Sequence, residues 1–151
     1  MREPYLGATP ERRAVWSTRL AAMRHPRVGL AWSVLARDAH GYVTRHKSIP
    51  PAVLAPLITG GGASFVTLQP GMNGDPAAFG HQASAIVDLR SCLHDFADTA
   101  ALIAELDLVI SADTAVAHLA GALGKPVWML NRFNSEWRWM RDREDSPWYP
   151  T

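Results

Sequence analysis

Residues 106–130 read LDLVISADTAVAHLAGALGKPVWML, and this stretch decides the fold. Its first apolar run, 108–110, is short and rich in β-branched side chains, which is typical of a strand buried on both faces. Small and polar residues break the run at 111–114. Apolar residues then recur at helical spacing until Gly124, and a second apolar run follows at 127–130. The stretch therefore predicts a strand, a tight turn, a helix and a second strand, which together form a parallel βαβ unit.

The turn of this unit is the predicted binding site. Asp113 and Thr114 stand where the carboxyl end of the strand meets the amino end of the helix, so backbone N–H groups and the helix dipole favour an anion there. Thr114 and His118 are four residues apart and share one side of the first helical turn, where both can donate hydrogen bonds to a phosphate. A second interpretation stays open: Asp113 or Thr114 only caps the helix, and His118 is an ordinary surface or core histidine.

Length and composition limit the class of protein. The chain has 151 residues and a formal net charge of +1, which predicts one domain and no field for binding nucleic acid. A single cysteine, Cys92, excludes an internal disulfide framework and favours a reducing compartment. No apolar run is long enough to span a membrane, and the polar start is not a signal peptide. We therefore expect a cytoplasmic protein.

Short apolar runs alternate with amphipathic segments along the rest of the chain. The patterns predict helices at 10–23, 50–58 and 95–104, strands at 28–32, 65–68 and 86–89, a long basic loop at 34–48 and a soft loop at 72–84. In the third of these helices, Phe96 is expected on the buried side. This alternation predicts an α/β fold, a Rossmann-like, mostly parallel sheet with helices on both faces. Residues 1–26 are expected to form an N-terminal linker helix, and residues 27–151 the single domain.

Polar residues follow the predicted strands at 28–32, 65–68, 108–110 and 127–130. Ligands of such sheets bind outside the carboxyl ends of the strands. The residues at those ends are Ser33, Gln69, Asp113 with Thr114, and Asn131. Together with the basic loop after the first strand, they predict a crevice for a phosphorylated, hydrogen-bonding ligand such as a nucleotide.

Several familiar sites have no support in the sequence. Neither the dinucleotide-binding G-x-G-x-x-G after the first strand nor a P-loop is present. The six histidines lack the spacing of a metal site. Cys92 and His94 are two positions apart, which says little about a nucleophile and its base. Ser111, Asp113 and His118 lie too close on one turn to act as a catalytic triad.

The residues resemble a known family. The segment DLVISADTAVAHLAGALGKPVWML, with DFADTAALIAEL before it and WRWMRDREDSPWYP after it, is similar to the C-terminal, donor-binding half of glycosyltransferase family 9. The similarity extends to VGLAWS, RHKSIP and FVTLQPG, and so covers most of the chain. In particular the chain resembles a bacterial branch of the family, in which tetratricopeptide repeats precede a glycosyltransferase domain related to heptosyltransferases.

This resemblance implies a GT-B architecture: two Rossmann-like domains, a nucleotide-sugar held by the C-terminal one, and transfer that needs neither a metal nor a cofactor. It assigns the donor diphosphate to Lys47, Asp113, Thr114, Ala115 and His118, and the donor crevice to Ser33 and Gln69. Thr114 and the N–H of Ala115 would bind phosphate oxygens, with His118 as a further donor. Asp113 would orient the turn or a lysine. Lys47 would neutralise the charge on the leaving diphosphate.

The chain departs from the family pattern in two places. The loop after VGLAWS reads Val34, Leu35, Ala36, Arg37 where the family usually has a Gly-Asn pair. The acceptor domain, where the family keeps its catalytic base, has no counterpart in these residues. We therefore expect no catalytic residue in the chain, and hexosyl or heptosyl transfer only when it is joined to an acceptor domain.

An alternative is a non-catalytic α/β module derived from such a domain, which binds a nucleotide or a protein partner, including a second copy of itself. The sequence leaves the sugar, the base and the acceptor open.

Overall fold

The computed structural model describes residues 3–34, 47–131, 137–140 and 145–149. Within these ranges the helices are α1 (Pro10–Leu20), α2 (Pro51–Thr59), α3 (Phe96–Ala104) and α4 (Ala115–Ala122). The strands are β1 (Arg27–Ala31), β2 (Ser64–Thr67), β3 (Ile86–Val87), β4 (Leu108–Ser111) and β5 (Val127–Met129). Short 3-10 segments lie at Met72–Gly74, Pro76–Ala85, Arg90–Cys92 and Trp137–Trp139.

The five strands form one sheet in the order β3-β2-β1-β4-β5, and every neighbouring pair is parallel. The chain leaves β1 through α2 towards β2, and leaves β4 through α4 towards β5, in the opposite direction. The strand order therefore reverses between β1 and β4. A crevice forms at such a reversal, outside the carboxyl ends of the two strands, and this is where sheets of this class bind ligands.

Side chains alternate between the two faces of the sheet because successive residues of a strand point to opposite sides. On one face Ala31, Val66 and Val109 pack under α1, α3 and α4, whose buried residues join the same cluster. On the other face Val28, Leu30 and Phe65 pack under α2 and the Pro76–Ala85 segment. The prediction of an α/β sheet with helices on both faces is confirmed.

The sequence prediction was wrong for residues 72–84, which were expected to be a soft loop. Two 3-10 segments occupy them, with a kink at Gly80, where φ is 57°. The side chain of Asp75 caps the second segment by accepting a hydrogen bond from Ala77 N. Phe79 is buried and contacts the edge of Trp32, 4.8 Å between ring centroids. This aromatic contact with β1 orders a stretch whose composition indicates a loop.

Two smaller predictions also need correction. The strand expected at 86–89 has only two residues, Ile86–Val87. Phe96 was expected on the buried side of α3, but 64% of it is exposed. The buried side of this helix begins at Thr99, and Phe96 lies one turn earlier, beyond the core. The long basic loop was expected at 34–48, and its residues 35–46 lie outside the part of the chain that the structure describes.

Helix α1 is part of the core. Trp16 and Leu20 are 2% and 1% exposed and lie in the same cluster as α3. Arg12 reinforces this packing through ion pairs with Asp95 and Asp98 at the start of α3. The domain boundary at residue 26 stays a prediction. Among the described residues, no helix is both long enough and apolar enough to cross a membrane.

At Gly29, in the central strand β1, neighbouring side chains lie very close to the backbone. A Cβ on this residue would lie 2.5 Å from Leu68 Cδ1 and 2.6 Å from Leu106 Cδ1. Both leucines are fully buried and have no room to withdraw. We expect Gly29→Ala to lower the free energy of unfolding by about 1 to 3 kcal/mol, as measured by urea denaturation.

Gly62→Ala is the matched control, because nothing lies within 4 Å of a Cβ there. Its effect should stay within about 0.5 kcal/mol. Equal stability of Gly29→Ala and the unmodified chain would contradict the packing described for β1.

Candidate functional site

An ion pair joins the loops that follow β1 and β4. Lys47 Nζ lies 3.1 Å from Asp113 Oδ2, and the two side chains are only 20% and 13% exposed. The return of the chain beside β1 places Lys47 there: Ser48 Oγ accepts a hydrogen bond from Val34 N, and Ile49 N donates to Trp32 O, both at 2.8 Å. Lys47 therefore lies at the edge of the sheet where the predicted site requires it.

The carboxylate of Asp113 is surrounded by donors. Trp139 Nε1 donates a hydrogen bond to Oδ1 at 3.1 Å, and His118 Nε2 lies 3.8 Å from the same oxygen. Together with Lys47, these contacts bring residues from three separate parts of the chain to one carboxylate. Asp113 is therefore paired with Lys47, and its bond to Trp139 joins the C-terminal tail to the turn before α4.

Thr114 caps α4. Its Oγ1 accepts a hydrogen bond from Val116 N at 3.3 Å and lies 3.1 Å from Ser111 Oγ. Ser111 Oγ already donates to Ala112 O at 2.7 Å, so the Thr114 hydroxyl is the donor towards Ser111. The capping interpretation of Thr114 is therefore realised in this structure. To meet a phosphate as well, the hydroxyl would turn its proton away from Ser111.

The amide of Ala115 lies at the amino end of α4, on its exposed side. Among the described residues, this N–H donates no hydrogen bond. This end of the helix carries the positive end of its dipole. An anion beside Asp113 would meet the Ala115 N–H directly.

His118 is half-buried in an aromatic group. Its ring stacks on Trp139, 5.1 Å between centroids at 26°, and its Nδ1 shares a hydrogen bond with the hydroxyl of Tyr149. Burial lowers the pKa of His118, the Asp113 carboxylate opposes this, and the positive charges of Arg138 and Lys47 lower it further. The imidazole is therefore neutral at pH 7, with one N–H to donate.

Gln69 and Ser33 lie at the ends of β2 and β1. Gln69 is 8% exposed, and its Oε1 accepts hydrogen bonds from Trp32 N and Ser33 N, each at 2.8 Å. Its Nε2 donates to Ser33 O. Both ends of this amide are thus bonded to the backbone at the end of β1. Gln69 fixes the wall of the crevice, and Ser33 is half-buried beside it.

In the sequence analysis, no role in the site is predicted for Tyr149 or Trp139. The signal for Tyr149 is Gly121, which lies three residues after His118 on the same helix face. A Cβ at Gly121 would lie 2.5 Å from Tyr149 Cγ, so the tyrosine ring sits directly on the helix backbone. A small residue beside a histidine on a helix face indicates that another part of the chain packs there.

Within the described ranges, no group of three or more histidine, cysteine, aspartate or glutamate side chains is placed to hold a metal ion.

Part of the chain matches the sequence model of a known family. Residues 90–139, which include Asp113, Thr114, Ala115, His118 and Trp139, match the sequence model of glycosyltransferase family 9 (heptosyltransferase). The chain is 34% identical to Protein FlbA of Caulobacter vibrioides over 160 residues. That alignment covers 99% of this chain and 25% of FlbA, so the chain spans a quarter of that relative.

The fold is similar to that of the E. coli ADP-heptose lps heptosyltransferase II. The TM-score is 0.58 and the sequence identity is 19%, over 83% of this chain and 39% of the E. coli chain. This likeness confirms the Rossmann-like fold as one half of a GT-B architecture.

His118 makes stability depend on pH. Because burial lowers its pKa in the folded chain below the ordinary 6.5, the unfolded chain binds more protons just below pH 6.5. Stability should therefore fall as the pH is lowered through 6.5, until the folded chain also binds the proton. Carboxyl groups whose pKa is lowered in the folded chain, such as Asp107, change the stability only at lower pH.

Urea unfolding between about pH 5.5 and about pH 7.5 measures this slope. We expect His118→Gln to flatten it, whereas His81→Gln, which removes an exposed imidazole, serves as the matched control. An equally steep slope in His118→Gln would show that this ring is not the group responsible.

Proposed function

We propose that this chain is the donor-binding half of a family 9 glycosyltransferase and holds the diphosphate of a nucleotide-sugar in the crevice between β1 and β4. One observation carries the proposal. Lys47, from the loop after β1, lies 3.1 Å from Asp113, in the turn after β4, where the strand order reverses. Asp113 also belongs to the residues that match the family.

Four groups can bind the diphosphate: Lys47 itself and three groups at the start of α4. The Ala115 N–H lies at the positive end of α4, and Thr114 supplies a hydroxyl one residue earlier. His118 adds a neutral ring N–H from the next turn of the helix. Lys47 supplies the positive charge, which Asp113 keeps aimed at the crevice in the absence of an anion. Ser33 and Gln69 shape the opposite wall.

The reaction class we propose is inverting displacement of the nucleoside diphosphate without a metal ion or other cofactor. Negative charge grows on the leaving diphosphate as the bond to the sugar breaks, and Lys47 and the helix amino end stabilise it in place. Deprotonation of the acceptor needs a base, which we assign to a separate acceptor domain. The chain by itself would therefore bind the donor without transferring the sugar.

The setting of the chain is also a proposal. The FlbA relative is much longer than this chain, and so is the heptosyltransferase. Their length supports a place in a larger protein. We propose a C-terminal place in a GT-B enzyme of the bacterial branch that carries tetratricopeptide repeats, on the resemblance of residues 107–130 to that family. The E. coli relative is named for ADP-heptose, which makes ADP the first nucleotide to test. The lone Cys92 supports a cytoplasmic location, where thiols stay reduced.

A non-catalytic binding module is the second candidate. Large exposed aromatic side chains favour it: Trp137 is 71% exposed, and Trp128 on the edge strand β5 is 57% exposed. Such side chains are typical of protein interfaces. Sedimentation velocity, together with nucleotide titration, separates the candidates. A chain that self-associates and binds no nucleotide would favour the module. A monomer that binds nucleotide would favour the enzyme half.

Nucleotide titration tests the proposed function directly. We expect calorimetric titration of the 151-residue chain with ADP, UDP and GDP to give saturable binding for at least one of them, independent of added EDTA. Circular dichroism of the same sample establishes that it is folded. A folded chain that binds none of the three would exclude the donor-site proposal.

Lys47→Ala should weaken binding of the accepted nucleotide by about 1 to 3 kcal/mol, because a charge-assisted hydrogen bond to phosphate is lost. Arg24→Ala is the control: it also removes one positive charge, but before β1, at the opposite edge of the sheet. Equal affinities for the two variants would show that Lys47 does not contact the diphosphate.

Thr114→Ala tests the hydroxyl. The loss of the cap should lower the free energy of unfolding by about 1 kcal/mol, and the nucleotide affinity should fall as well. Thr114→Ser keeps both the cap and the hydroxyl, and it should restore both properties. If the alanine variant is destabilised but binds nucleotide normally, Thr114 is only a cap.

A further inference from the structure

The ring of His118 is hydrogen-bonded at one nitrogen atom and faces a carboxylate with the other. The hydroxyl of Tyr149 forms a hydrogen bond with Nδ1, and Nε2 faces Asp113 Oδ1 at 3.8 Å. Stacking on Trp139 fixes the plane of the ring between them. The imidazole therefore has one orientation, with Nε2 directed towards the crevice.

The two partners differ in what they can accept and donate. An ionised carboxylate only accepts hydrogen bonds, whereas a phenol hydroxyl can donate or accept. A proton on Nε2 is therefore favoured by the Asp113 side, and the adaptable Tyr149 hydroxyl is left to donate to Nδ1. The hydrogen bond at one ring nitrogen decides which nitrogen carries the proton in a neutral histidine.

We propose that Tyr149 is a positioning residue: by donating to Nδ1 it fixes the tautomer of His118 that carries its proton on Nε2, and so aims a neutral N–H at the position of the anion. This role rests on the proposed function only for the identity of that anion. The arrangement of the ring itself is a property of the ligand-free chain.

Tyr149 is well placed for this task. Its ring lies on the backbone of Gly121 and stacks on Tyr5, 6.5 Å between centroids at 17°. Tyr5 is anchored in turn, since its backbone N–H donates to Ala122 O at 3.1 Å. Burial raises the pKa of Tyr149, which keeps its hydroxyl protonated and able to donate.

Some charged groups around His118 raise its pKa and others lower it. Asp113 favours the imidazolium, whereas Lys47 and Arg138 disfavour it, and burial is the largest influence. Among the described residues, Tyr149 also contacts the ring from the C-terminal tail, and Tyr5 of the N-terminal segment stacks on Tyr149. The ring is thus kept neutral, and a neutral ring needs a partner to select its tautomer.

Nitrogen NMR of the ligand-free chain is the first part of the test. Long-range proton–nitrogen spectra of the 15N-labelled chain at pH 7.5 give the protonation of each ring nitrogen, and the spectrum of His118→Gln assigns the resonances of His118. We expect a protonated Nε2 and an Nδ1 that accepts a hydrogen bond. A proton on Nδ1 would overturn the proposal without any variant of Tyr149.

Tyr149→Phe is the second part, because it keeps the ring on Gly121 and removes only the hydroxyl. The Nδ1 resonance should move to the position of an unbonded nitrogen, and the titration midpoint of His118 should rise. Tyr5→Phe keeps the stacked ring and removes a hydroxyl that interacts with that of Tyr149 but does not bond the imidazole, so both values should move much less than in Tyr149→Phe. An unaltered Nδ1 resonance and midpoint in Tyr149→Phe would overturn the proposal.

Nucleotide binding separates this inference from the proposed function. If the unmodified chain binds ADP, Tyr149→Phe should bind it about 3- to 10-fold more weakly, and Tyr5→Phe should bind it normally. Equal affinity of Tyr149→Phe and the unmodified chain would overturn the role of Tyr149 in the site. If the unmodified chain binds no nucleotide, the proposed function fails, while the NMR result still decides whether Tyr149 sets the tautomer.

Discussion

The ion pair of Lys47 and Asp113 is the interaction on which the rest of the crevice depends. Both side chains are largely withdrawn from water, so each charge needs the other. The pair closes the gap between the loops after β1 and β4, and the same carboxylate holds the indole of Trp139. Under the proposed function, an incoming diphosphate would take over the ammonium group and leave Asp113 to its indole and imidazole neighbours. In the ligand-free chain, the pair holds the two loops beside each other.

Much of this architecture could be predicted from local patterns. The run 106–130 contains its own strand, turn and helix signals, and the φ of 70° at Gly124 fits the predicted stop after α4. The approach of Lys47 to Asp113 follows from topology, because the carboxyl ends of parallel strands share one edge. The order at Pro76–Ala85 could not be predicted in this way. It depends on the contact of Phe79 with Trp32, which are 47 positions apart, and no local pattern reports such a contact.

The hydrogen bonds of the candidate site could be predicted less well than the positions of its residues in the chain. Residue type and spacing indicate that Thr114, His118 and Gln69 stand near the crevice, but not which of their atoms are already bonded. Gln69 has both ends of its amide on the backbone of β1, and Thr114 has its hydroxyl on Ser111. The partner of His118 lies 31 positions further along, beyond any periodicity. Hydrogen-bond partners of this kind are set by tertiary packing.

The contact of Tyr5 with Tyr149 brings the N-terminal and C-terminal segments together on α4. Because Tyr5 and Tyr149 lie close together, a short linker can join these two segments, and a circularly permuted chain can then begin elsewhere on the surface. The exposed glycines between α2 and β2, Gly60 to Gly62, are a suitable place for the new ends. In such a molecule the aromatic contact beside His118 would become internal to one continuous segment, and a fluorescent label or fusion partner could be attached far from the crevice.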